Sequence, residues 1–172
     1  TVVAQDPSVR KADGSILTAC VSVPYEDMGE GPTGDRVQVV DFDASSNSLM
    51  KPWTPRDDGG DPFGPTAAGK TVTDAVILGD PKFHQQNVYA IVMRTLARFE
   101  LALGRRVSWS FGGHQLKVAP HAFTDANAFY SKEDEGLFFG YFATPDAKGR
   151  AKTIFSCLSH DVVAHETSHA LL

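Results

Sequence analysis

The sequence predicts an α+β chain, mainly an antiparallel sheet with one long helix and a short helix at its C-terminal end. Three observations predict it. Apolar residues recur at helical spacing over 83–103. Short β-branched and aromatic runs bounded by Gly and Pro fill much of the remainder. The last residues return to a helical pattern around His-Glu-x-x-His. A length of 172 residues with 42% hydrophobic and 22% charged side chains is that of one globular unit, so 1–172 is read as a single domain.

The elements follow in order. Ile16, Cys20, Val21 and Val23 give a strand over 16–23 that Pro24 ends, and Val37, Val39 and Val40 centre a stronger one over 36–42. Asp41 and Asp43 flank Phe42 with period two, which reads as a solvated strand face. Segment 44–70 is polar and broken by Pro and Gly, a long irregular stretch within the domain that Trp53 and Phe63 pin to the body. Val72, Thr73, Val76 and Ile77 have more strand than helix character. Val88, Ile91, Val92, Thr95, Leu96, Phe99 and Leu103 form the stripe of the long helix, with Gly104 as its C-cap and His84 near its start as a surface or capping residue. Short strands are expected over 107–111 and 116–119, with His114 and His121 as loop histidines. An aromatic hairpin joins 127–130 to 136–142 through the charged turn 131–135, a turn spans 145–150, and a last strand covers 153–157.

The chemistry concentrates in 161–172. On a helix, His165 and His169 lie four apart on one face and can point two imidazoles at one metal ion. Glu166, one step round, can reach a water on that metal and act as general base. Ser159 is a fitting N-cap and Asp161 favours the first turn. A catalytic zinc usually takes three protein ligands. Only three residues follow His169, so the third ligand is expected from upstream, with His114, His121 and Asp125 as the first positions to test, or from outside this chain.

This stretch resembles the active-site helix of thermolysin-like zinc metallopeptidases of the gluzincin type. Asp161 precedes the two apolar residues Val162 and Val163, Asn127-Ala-Phe-Tyr130 is similar to the family's edge strand, and the glycine and aromatic strand 137–142 follows it. The resemblance covers about 83–172. It implies the N-terminal half of such a catalytic domain, ending just after the motif. Zn2+ would be held by His165 and His169, Glu166 would activate the metal-bound water against a peptide bond, and Asn127, Ala128 and Tyr130 would hold the substrate as an added strand. The family's third ligand, a glutamate on a later helix, is not in this chain. The expectation is therefore a metallopeptidase fragment, inactive alone, that binds peptide or protein substrates and self-associates through surface left open by the missing half. The alternative is a non-catalytic peptide- or protein-binding module.

Other classes are disfavoured. A net charge of -5, with Arg105-Arg106 as the only basic cluster, argues against nucleic acid. No run reaches the length of a membrane span, and no signal peptide is visible, which leaves secreted and cytoplasmic locations both open. Gly64-Pro-Thr-Ala-Ala-Gly69-Lys70-Thr71 matches a phosphate-loop pattern but lacks the strand before it and the helix after it. Cys20 and Cys157 read as small buried hydrophobes, with a single bridge between them left open.

Overall fold

In the computed structural model, which describes residues 1–146 and 148–172, the long helix α2 (Pro81–Leu103) is the axis of the fold. Pro81 occupies its first turn, where a missing N–H costs nothing, and Asp80 Oδ1 caps it by accepting from the Lys82 amide at 2.9 Å. Gly104 ends it in the left-handed conformation, φ 65°, with its N–H returned to the Glu100 carbonyl. The helix is not amphipathic throughout. Every residue from 83 to 93 is buried, whereas Leu101 and Leu103 beyond them are exposed. The helix packs against the C-terminal helix, the sheet and the N-terminal segment. The short helix α1 (Asp74–Gly79) leads directly into it, where the apolar residues of 72–77 suggest strand. Val72 and Val76 are only half-buried against the core and Ile77 alone is fully buried, a one-sided pattern that suits a helix turn.

The sheet is mixed. β3 (Val37–Val39) pairs in parallel with β6 (Leu116–Thr124), and β6 pairs in parallel with β8 (Gly136–Pro145). β7 (Ala128–Ser131) and β9 (Ala151–Phe155) follow one another along the other edge of β8, both antiparallel. The expected mainly antiparallel sheet is corrected because the hairpin neighbours supply only half the pairings. The chain crosses β8 between β6 and β7, and the crossing lies so close over Gly140 that a Cβ there would sit 2.8 Å from the Asn127 carbonyl. Two small antiparallel pairs complete the strands: β1 (Val2–Val3) with β2 (Thr18–Ala19), and β4 (Phe42–Asp43) with β5 (Ser48–Leu49).

Two further expectations change. Residues 107–111 form no strand: the Ser110 amide donates to the Ala170 carbonyl at 2.8 Å, and the Trp109 indole N–H is shared between the carbonyls of Arg36 and His114. The strand expected to stop at 119 continues through Pro120 to Thr124. It does so by a bulge. Ala119 pairs with Phe138 and Phe123 with Gly140, so Pro120, His121 and Ala122 stand opposite Phe139 alone. The expected turn 145–150 includes Ala147, which lies outside the described residues, and its closing bonds run from the Asp146 amide to the Arg150 carbonyl and from the Gly149 amide to the Asp146 carbonyl.

Trp53 and Phe63 pin the segment 44–70 as expected. The Trp53 amide donates to Gln85 Oε1 at 2.6 Å and its indole N–H to Gln86 Oε1, and Phe63 meets Phe83 edge to face. After β9 a 3-10 turn (Ser156–Leu158) leads into α3 (His160–His169), which Ser159 precedes as N-cap without a side-chain bond. Val163 and Ala170 turn α3 onto the core against α2. Among the described residues, no helix is long and apolar enough to cross a membrane.

Candidate metal centre

The first turns of α2 read His84-Gln-Gln-Asn87, four polar residues, and all four are buried. Burying polar groups is tolerated only where each finds a partner, and here their partners tie the chain together. Asn87 accepts from the Val3 amide at 2.8 Å and donates to the Cys157 carbonyl at 2.9 Å. Gln85 donates to Asp41 Oδ2 at 2.7 Å. His84 lies one turn before Asn87, on the same side of the helix.

His84, His121 and Cys157 meet at this point. Among the described residues they are the one group of three His, Cys, Asp or Glu side chains whose ligand atoms all lie within 4.8 Å of one another. They come from α2, from the β6 bulge and from the 3-10 turn, and their relative exposures are 1%, 3% and 0%. The bulge explains His121: two extra residues on β6 break the in–out alternation and turn the ring inward.

The hydrogen bonds fix which ring nitrogen carries each hydrogen. His84 Nε2–H donates to the Ile77 carbonyl at 2.8 Å, one of the last carbonyls of α1. His121 Nδ1–H donates to the Asp41 carboxylate at 2.8 Å. With those hydrogens placed, His84 Nδ1 and His121 Nε2 each present a lone pair, and they face one another at 2.7 Å. Two lone pairs repel at that distance, and a cation bound by both would relieve the repulsion. Burial and the neighbouring His121 push the pKa of His84 down to about 3, which leaves its Nδ1 unprotonated at neutral pH. Burial pushes the Cys157 thiol well up, and Asp41 pushes in the same direction, so a metal would have to displace the thiol proton to gain a thiolate.

The surroundings are those of a ligand set. Each imidazole gives its outer N–H to a carboxylate or a backbone carbonyl, the arrangement that orients and sharpens metal-binding histidines. The Phe155 ring covers both, 4.7 Å from His84 and 5.2 Å from His121. Asp41 and Asp43 are therefore not a solvated face. They are 5% and 2% exposed, Asp41 orienting His121 and Asp43 accepting from the Tyr141 hydroxyl at 2.7 Å and from Ser46.

The motif residues lie elsewhere. His165 and His169 point the same way from α3, with Nε2 atoms 3.0 Å apart, and both are exposed. Glu166 is buried on another face of that helix. Asn127, Ala128 and Tyr130 lie at β7. The Asn127 side chain accepts from the Ala128 amide, its carbonyl accepts from Gly140, and the Tyr130 hydroxyl is bonded to Ser110 Oγ. Of the other upstream positions named as third-ligand candidates, His114 and Asp125 are both exposed.

Comparison with family models, with curated proteins and with solved structures finds no match to this chain. The His/His/Cys cluster corrects the expected thermolysin-like zinc metallopeptidase, and with it the endopeptidase activity, the enzyme class and the Zn2+ site awaiting a third ligand from outside the chain. A complete three-ligand His/His/Cys cluster lies within the chain. The gluzincin arrangement of two helix histidines and a glutamate supplied from a missing half does not match it. The physical reason is that two imidazoles one turn apart supply only two donors, whereas tertiary packing gathers three from distant segments. Sequence reasoning misses His84, which reads as a surface or capping residue, and Cys157, which reads as a buried hydrophobe only. The burial of Cys157 holds, but Cys20 is exposed, and both cysteines are free. Pro120 inside an apolar strand pattern is the one local sign that β6 is bulged beside His121.

Proposed function

We propose that this chain is a metal-binding protein in which His84 Nδ1, His121 Nε2 and Cys157 Sγ hold one transition-metal ion as a buried cross-link. The observation that carries this is the 2.7 Å approach of two ring nitrogens whose outer hydrogens are already donated to Ile77 and Asp41. A proton could fill that gap, but burial and the second imidazole disfavour it at neutral pH. The sulfur close to both nitrogens supports a metal, because imidazole and thiolate together suit zinc-like and softer ions. Binding would open the nitrogen pair by roughly half an ångström, since metal–nitrogen bonds are about 2.0–2.1 Å. The role is structural. The ligands are closed off from water, and they join α2, β6 and the 3-10 turn before α3.

Titration with Co2+ tests this. One equivalent is expected to give a near-ultraviolet sulfur-to-metal absorption band. Cys157→Ser should abolish the band, and His84→Ala should weaken binding by a large factor. No band, or a band that Cys157→Ser leaves intact, would remove the proposal.

A second reading attaches to α3. The 3.0 Å approach of His165 and His169 supports a weaker, solvent-facing cation site completed by water. It is separable from the first, because replacing both residues by Ala should leave the sulfur band unchanged.

A further inference from the structure

We propose that the buried centre selects a divalent cation over a monovalent one, and that Asp41 is the positioning residue that sets this preference. The inference rests on the metal-binding reading above. It follows from charge. The two imidazoles bind as neutral ligands and Cys157 binds as a thiolate, so the ligands alone bring one negative charge, which a monovalent ion such as Cu+ would cancel. Asp41 adds a second. Its Oδ1 accepts from His121 Nδ1 at 2.8 Å and its Oδ2 from Gln85 at 2.7 Å. Among the described residues no lysine or arginine pairs with it, and the neutral His121 imidazole that donates to it brings no compensating charge. Asp43 is buried too, but it is satisfied by hydrogen bonds from Tyr141, Ser45 and Ser46 rather than by a metal ligand, and it stands outside this balance. An unbalanced charge inside a protein is costly. A dipositive ion leaves thiolate and Asp41 balanced, and a monopositive ion leaves one buried charge uncompensated. Softness works the other way, since thiolate ligands favour Cu+. The quantity that isolates Asp41 is therefore the change in the Zn2+ to Cu+ affinity ratio.

The experiment uses the full chain with His165 and His169 both replaced by Ala, so that only the buried centre is read. Zn2+ and Cu+ affinities are measured by competition with chromophoric chelators, with and without Asp41→Asn. Removing one negative charge weakens a dipositive ion about twice as much as a monopositive one. The ratio should fall by a factor on the order of ten or more. The Asp41→Asn/Gln85→Glu variant exchanges the roles. The introduced amide can accept from His121 and donate to the new carboxylate, which can accept from the Trp53 amide but gives up the Gln85 bond to the Lys51 carbonyl, and the charge moves one residue farther from His121. Part of the lost preference for Zn2+ should return. An unchanged ratio in Asp41→Asn would overturn the inference and leave the three-ligand site standing. If that variant does not fold, the double variant decides, because its ratio should fall below that of the parent, and an equal or higher ratio would overturn the inference. Failure of the parent to bind either ion would remove the site and the inference together.

Discussion

His84 and His121 bring ring nitrogens to 2.7 Å inside the core, and His165 and His169 bring theirs to 3.0 Å on the surface. The distances are alike and the physics is not. In the core pair both outer hydrogens are committed, to a carbonyl and to a carboxylate, so the facing lone pairs cannot reorganise. The surface pair is exposed, so water or a rotamer change can resolve its contact at little cost. The buried arrangement is fixed in a form that a metal ion would relieve, and the exposed one merely permits a cation. The spacing that makes a motif visible is thus a weaker statement about binding than the hydrogen bonds that hold the outer sides of the rings.

The largest expected contrast is in stability. His121→Ala should cost about 2–5 kcal/mol in urea unfolding, because it opens a cavity and leaves Asp41 Oδ1 buried without its donor. His165→Ala should stay within about 0.5 kcal/mol. Equal costs for the two would break the comparison.

Acid should separate the pairs next. The folded-state pKa of His84 is lowered to about 3, so below the ordinary value near 6.5 the unfolded chain takes up the proton first. Its contribution is complete above about pH 6.5 and is lost as the pH falls toward 3, by about 1.4 kcal/mol per pH unit where this one proton dominates. A His84→Gln variant, compared with the parent from pH 7 to 4, should lose this slope. An unaltered slope would place the acid sensitivity elsewhere.

Metal should raise the stability of the parent by about 2.7 kcal/mol at a free concentration one hundred times the dissociation constant. Cys157→Ser should lose most of this gain, and His165→Ala with His169→Ala should keep it, read as the shift in unfolding midpoint. Asn87→Ala sharpens the contrast further. It removes the link between the Val3 amide and the Cys157 carbonyl, and should cost about 1–3 kcal/mol while leaving the surface pair untouched.

Much was legible because it depends on neighbours in sequence. The stripe from Val88 to Leu96, the stop at Gly104 and the helix bearing His165 and His169 all follow from local periodicity and capping. So does the pinning of 44–70 by Trp53 and Phe63, whose size and apolarity leave few other places for them. What tertiary structure alone decided is which polar residues turn inward. The alternation of Asp41, Phe42 and Asp43 fits either face equally well. The structure buries both carboxylates and leaves Phe42 half in solvent, because Gln85, His121, Ser45, Ser46 and Tyr141 satisfy them. His84, His121 and Cys157 are separated by dozens of residues, and no local pattern relates them. They meet because β6 bulges, because α1 ends where its free carbonyl can receive His84, and because Asn87 draws the 3-10 turn onto α2.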